Sequence, residues 1–196
     1  MYEYRHTTPK GRQELLEERQ RKSWPWHAPP HFAGGEHVYL LTAACFEHQP
    51  LLAAEERRDE WLDALRACVS DCGGELRGWV VLPNHYHLVA RVDLAVFAAK
   101  IARLHNGKST QWNREDQTPG RKVWHRFSDR RIRTDRHYFA ALNYLHSNPL
   151  HHRHAGRADE WQWSSLGHYR QEVGDERLGE WAHEYPIDRF GEGWDF

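Results

Sequence analysis

Residues 80–92, Val-Val-Leu-Pro-Asn-His-Tyr-His-Leu-Val-Ala-Arg-Val, constrain the fold more than any other stretch of the chain. Two apolar, β-prone runs flank Pro83 and Asn84, both turn formers, so the stretch reads as two strands meeting at a tight connection. Side chains alternate faces along a strand, which puts His85 and His87 on one face and Tyr86 on the other. Two imidazoles so placed form a natural pair of metal ligands. Two partly buried, hydrogen-bonded histidines are the other reading. In a chain with 16 histidines the pair alone does not separate them.

The flanking pattern extends the two strands into a domain. An apolar run at 37–45 is a first strand. At 55–72, Trp61, Leu62, Leu65, Cys68, Val69 and Cys72 recur at helical spacing, and Gly73-Gly74 ends that helix. Strands at 76–82 and 85–92 follow. Asp93 caps a second helix through residue 104, with Leu94, Phe97, Ile101 and Leu104 as its buried stripe. Residues 106–120 are polar and read as a loop or a loop-helix mixture. A fourth strand is expected at 122–127, a basic turn at 129–133, and a third helix at 135–147 stopped by Asn148-Pro149. The order β-α-β-β-α-β predicts an α+β fold, a ferredoxin-like antiparallel sheet with helices on one face. At 196 residues the chain suits one domain with extensions. These are an N-terminal arm at 1–35, with a short helix at 13–22 and with Trp24 and Trp26 available to pack on the domain or to stack on bases, the domain at 36–157, and an acidic, Trp-containing extension at 158–196.

Net charge is −1, which by itself does not indicate a nucleic-acid binder. Its distribution says more. Residues 121–157 hold nine Lys and Arg against two Asp and Glu, whereas residues 158–196 hold three against ten. Such asymmetry suits a polyanion-binding face beside an acidic tail. Cys45, Cys68 and Cys72 form no zinc pattern and fit a reducing cytoplasm. No apolar run is long enough to span a membrane, and the polar N-terminus carries no secretory signal.

A second constellation lies on the third helix. Tyr144 and Asn148 are four residues apart, hence on one helix face, which His137 and Ala141 extend backwards. Tyr138, Leu142 and Leu145 form the core stripe, leaving Tyr144 off it with an available hydroxyl. Taken alone, these two residues also fit a surface tyrosine and a helix-ending asparagine.

Together the blocks are more specific. Leu82-Pro83-Asn84-His85-Tyr86-His87-Leu88 resembles the "MPNHxHLL" block of single-tyrosine HUH transposases, and Tyr144-Leu145-His146-Ser147-Asn148-Pro149-Leu150 resembles their "YIxxNPV" block. Val123-Trp124-His125-Arg126 resembles a "vWqr" segment between them, and Trp161-Gln162-Trp163-Ser164-Ser165 a "WpWSS" segment after them. The resemblance covers roughly residues 36–170 and is nearest to the REP-associated tyrosine transposase branch. Leu82 replaces the usual Met, and Asn148 stands where many mobile-element members have Gln.

The resemblance implies a single-stranded DNA endonuclease and strand transferase that cleaves near hairpins. Tyr144 would be the nucleophile, giving a 5′-phosphotyrosine, with His85, His87 and Asn148 holding Mg2+ or Mn2+. The implied partner is hairpin-bearing single-stranded DNA, in a bacterial, nucleoid-associated setting, with no membrane. Monomer or homodimer, and use of Tyr144 within or between subunits, stay open. Arg126, Arg130, Arg131, Arg133 and Arg136, just before the third helix, are candidates to bind the DNA backbone, and Lys108 is a weaker one. Arg130 to Arg136 pairing with the acidic tail is the competing use. Two other functions fit the same residues: a non-catalytic nucleic-acid-binding descendant, and a metal-dependent hydrolase using water.

Overall fold

The structure, a computed structural model, describes residues 35–188 and Phe190. The expected helix at 13–22, Trp24 and Trp26 lie outside the described residues. The elements in order are β1 (Glu36–Ala44), α1 (Glu55–Asp71), β2 (Glu75–Val81), β3 (His85–Asp93), α2 (Leu94–Glu115), β4 (Ser128–Arg131), α3 (Asp135–His151) and α4 (Leu166–Glu184), with single 3-10 turns at Phe46–His48 and Ala158–Glu160. The sheet order is β2-β3-β1-β4 and every neighbouring pair is antiparallel. β1 and β2, joined through α1, therefore run parallel on either side of β3, the split βαβ arrangement of a ferredoxin-like sheet. Among the described residues no helix is long and apolar enough to cross a membrane.

Strand parity divides the interior into two layers. Tyr39, Leu41, Tyr86, Leu88 and Ala90 pack with Trp61 and Leu65 of α1 and Phe97, Ile101 and Trp112 of α2. The residues between them, Leu40, Val80, Leu82 and Val89, pack with Ala141, Leu142, Tyr144 and Leu145 of α3. The two crossover helices share one face, as expected, and α3 covers the other, the face of His85 and His87. Its approach is close. A Cβ at Gly78 would lie 2.7 Å from Leu142 Cδ2, so glycine in β2 leaves room for the helix.

Several boundaries differ from the sequence reading. α2 does not stop near residue 104. His105 and Trp112 continue the buried stripe of Ile101, and Lys108 and Gln111 bond to Glu60 of α1, so the polar stretch stays helical to Glu115. The expected strand at 122–127 is instead an irregular segment in which Trp124 forms one isolated bridge with Cys45. The Trp124 ring sinks into the core, stacked on His105 at 4.5 Å and on Trp61 at 4.7 Å. Regular pairing resumes only at Ser128, so β4 occupies what read as a basic turn. α3 runs through Pro149 to His151. It ends in a Schellman arrangement, with His154 N donating to Pro149 O and Arg153 N to Leu150 O, and with Arg153 left-handed at φ 58°.

The start of the acidic extension belongs to the same packed body. Val81 N donates to Trp163 O and Ser165 N to Trp79 O, both at 2.9 Å, so residues 163–165 cover the outer edge of β2. Trp163 is buried and stacks under the Arg58 guanidinium at 3.7 Å.

Candidate functional site

Register decides where the histidines stand. Ala44 pairs with His85 and Thr42 with His87, on the face covered by α3. Both imidazoles are buried, at 3% and 0% exposure. Tyr86 points to the opposite layer, as alternation requires, and its hydroxyl lies 3.0 Å from His105 Nε2. Burial pushes His105 down to about 3, so it is neutral and structural at neutral pH. His146, pushed down by burial to about 4 and bonded to Ser165 Oγ at 3.0 Å, is another neutral core histidine.

From the facing side α3 brings Asn148, fully buried, and Tyr144, 5% exposed. Asn148 Oδ1 lies 3.1 Å from His85 Nε2, and Tyr144 Oη lies 3.5 Å from His87 Nε2. The rings of His85 and His87 are 5.1 Å apart, as are those of His87 and Tyr144. The two constellations read in the sequence thus converge within one chain. Tyr144 is not off the apolar stripe as expected. The sheet, α4 and Phe190, whose ring is 5.6 Å from that of Tyr144, enclose α3 on more than one side. Tyr138 is the half-buried member, its hydroxyl 3.2 Å from that of Tyr169.

The donor set fits a divalent cation. Two donors held at ~2.1–2.2 Å by one octahedral ion sit ~3.0–3.1 Å apart, the spacing seen between His85 Nε2 and Asn148 Oδ1. Asn148 Nδ2 is buried without a hydrogen-bond partner, so the amide is fixed at its oxygen end alone, by the contact with His85. Among the described residues no three His, Cys, Asp or Glu side chains are grouped to bind a metal. The amide oxygen of Asn148 could serve as a third donor beside the two histidines.

Outside this set, Arg126, Arg131, Arg133 and Arg136 are exposed. Arg130 pairs with Leu40 across the ladder and so shares the histidine face. Burial lowers its pKa, and together with Arg133 it lowers that of His137 after burial, which places both guanidinium groups beside the start of α3. Lys108 is elsewhere. It lies on α2 in the opposite layer, ion-paired with Glu60.

Three neighbours of the site escaped the sequence reading. Asn84 Oδ1 lies 2.7 Å from His85 Nδ1, Thr42 Oγ1 lies 2.6 Å from His87 Nδ1, and the His152 ring is 4.8 Å from that of His85. The sequence pattern marks Asn84 as a turn former. The Thr42 contact depends on a β1–β3 register that no local pattern reveals. His152 enters because α3 continues past Pro149.

No family model and no curated protein matches the chain. Among solved structures, that of a REP-associated tyrosine transposase bound to a REP hairpin is similar, with a TM-score of 0.58 and 19% identity. The match covers 76% of this chain and 87% of the other. At that identity the likeness is one of fold.

Proposed function

We propose that the chain is a DNA-processing enzyme, a single-stranded DNA nuclease and strand transferase that cuts beside hairpins with Tyr144 as nucleophile. The observation that carries this reading is the meeting of Tyr144 and Asn148, from α3, with His85 and His87, from β3, in one buried cluster. The block resemblance supports it, and so does the fold likeness to a protein solved with a REP hairpin.

His85 Nε2, His87 Nε2 and Asn148 Oδ1 would hold Mg2+ or Mn2+, which when bound supplies Lewis-acid polarisation of the scissile phosphate. The Tyr144 hydroxyl, kept beside His87, attacks phosphorus. One P–O bond forms to Oη and the bond to the 3′ oxygen breaks. The phenol gives up its proton and the 3′ oxygen takes one. A free phenol has a pKa of about 10, so its activation depends on positive charge at the site. The phosphotyrosine conserves the ester bond, and a new 3′ hydroxyl reverses the step to join strands without ATP. Arg130 and Arg133 beside α3, with exposed Arg126, Arg131 and Arg136, supply a cationic path for the DNA backbone.

Incubation with hairpin-bearing oligonucleotides and Mn2+, followed by a denaturing gel, tests the reading. A slow-migrating protein–DNA adduct, absent with fully duplex DNA, is expected. Cleavage with multiple turnover, no adduct and indifference to Tyr144→Phe would instead identify a hydrolase using water.

A further inference from the structure

The turn before His85 is tied to a second, strained turn. Glu47 and His48 are consecutive non-glycine residues in the left-handed region, at φ 56° and 52°. This conformation persists only where the surroundings over-determine it. Here they do. Cys45 N donates to Asn84 O at 2.7 Å, Leu52 N to Pro83 O at 2.8 Å, and the Asn84 side chain donates through Nδ2 to His48 O at 3.3 Å.

That last bond has a chemical consequence. The His48 carbonyl can only accept, so the Asn84 amide must turn its nitrogen toward it and its oxygen toward His85 Nδ1, 2.7 Å away. An amide oxygen also only accepts. His85 must therefore carry its proton on Nδ1, which directs the Nε2 lone pair at Asn148 Oδ1. The Nε2 lone pair then meets the Asn148 amide at 3.1 Å, where a cation shared with Oδ1, or the amide turned to present Nδ2, satisfies it. Thr42 beside His87 Nδ1 cannot make this choice, because a hydroxyl both donates and accepts.

We infer that Asn84 is a positioning residue. It fixes the tautomer of His85, so that Nε2 is the metal-binding nitrogen, and it anchors that choice on the left-handed turn at 47–48. The inference rests on the proposed role of His85 as a ligand, and its first measurement does not.

Nitrogen NMR of the metal-free, full-length protein labelled at histidine reads the tautomer directly. Wild type is expected to show His85 protonated at Nδ1, and Asn84→Ala to shift it toward Nε2 protonation. Mn2+ titration by calorimetry is the second readout, with Asn84→Ala weakening binding ~10–100-fold. Asn84→Asp keeps an acceptor beside Nδ1 but loses the donor to His48 O, so it should retain the Nδ1-protonated tautomer while the tie to the turn is lost. It guards against simple misfolding of the Ala variant. An unchanged tautomer and unchanged Mn2+ affinity in folded Asn84→Ala would overturn the inference while leaving the metal site standing. Absence of Mn2+ binding in wild type, with the tautomer as stated, would instead remove the ligand role of His85 and confine Asn84 to the fold.

Discussion

Asn148→Leu separates stability from function at the centre of the site. Asn148 is fully buried, its Nδ2 has no partner, and its Oδ1 faces the imidazole Nε2 of His85. A buried polar group left unsatisfied costs ~1–3 kcal/mol. Leucine keeps the branched shape, removes the unsatisfied amide nitrogen and leaves only His85 Nε2 without its neighbour. The metal-free variant should therefore lose no more than about 1 kcal/mol, and a gain fits equally. Bound metal stabilises the native state by mass action, ~2.7 kcal/mol at a concentration 100 times Kd. Wild type should show that increment with Mn2+ and Asn148→Leu should not. Urea unfolding followed by circular dichroism, with and without Mn2+, measures both numbers. If metal-free Asn148→Leu loses 3 kcal/mol or more, the amide holds the fold rather than a cation. If the variant keeps the full Mn2+ increment, Asn148 is not a ligand.

Further outcomes follow from the same geometry. Tyr144→Phe keeps the ring against His87 and Phe190 and removes only the hydroxyl, so stability should change by about 1 kcal/mol. Tyr144→Ala opens a cavity and should cost ~3–5 kcal/mol in the same denaturation experiment. His105 is depressed from 6.5 to about 3 by burial, so between those values the unfolded chain binds a proton that the folded chain refuses. Stability should fall with pH by up to ~1.4 kcal/mol per unit below pH 6.5, and His105→Gln should flatten that slope in an acid titration. In single-strand binding measured against salt, charge removal at Arg131, Arg133 or Arg136 should lower both affinity and salt slope. Lys108→Ala, in the opposite layer, should change neither.

What the sequence revealed and what it hid have different physical origins. The antiparallel hairpin, the face shared by His85 and His87, and the face shared by Tyr144 and Asn148 are local consequences of a period of two or of about three and a half, and they hold in the structure. The Asp93 cap is equally local, its side chain accepting from Ala95 N and Val96 N. The misread parts depend on distant partners. Residues 106–115 are polar, and their helix is held by Trp112 under the sheet and by Glu60 across from Lys108. Trp124 leaves the sheet because its ring finds His105 and Trp61, residues remote in sequence. The pattern of α3 leaves Tyr144 free only if the helix has a single packing surface, whereas α4 supplies a second one, where Asn143 bonds to Trp181 O and Tyr185 O. Thr42 entered the site only through register.

Mapping where the DNA becomes attached tests the tyrosine chemistry directly. The protein is incubated with a hairpin-bearing oligonucleotide and Mn2+, digested with a protease, and the nucleotide-bearing peptide is sequenced by mass spectrometry. A 5′-phosphate on Tyr144 alone is expected, lost in His85→Ala, His87→Ala and Asn148→Leu. A nucleotide on Tyr138 or any other side chain, or efficient strand cleavage that leaves no modified peptide, contradicts it.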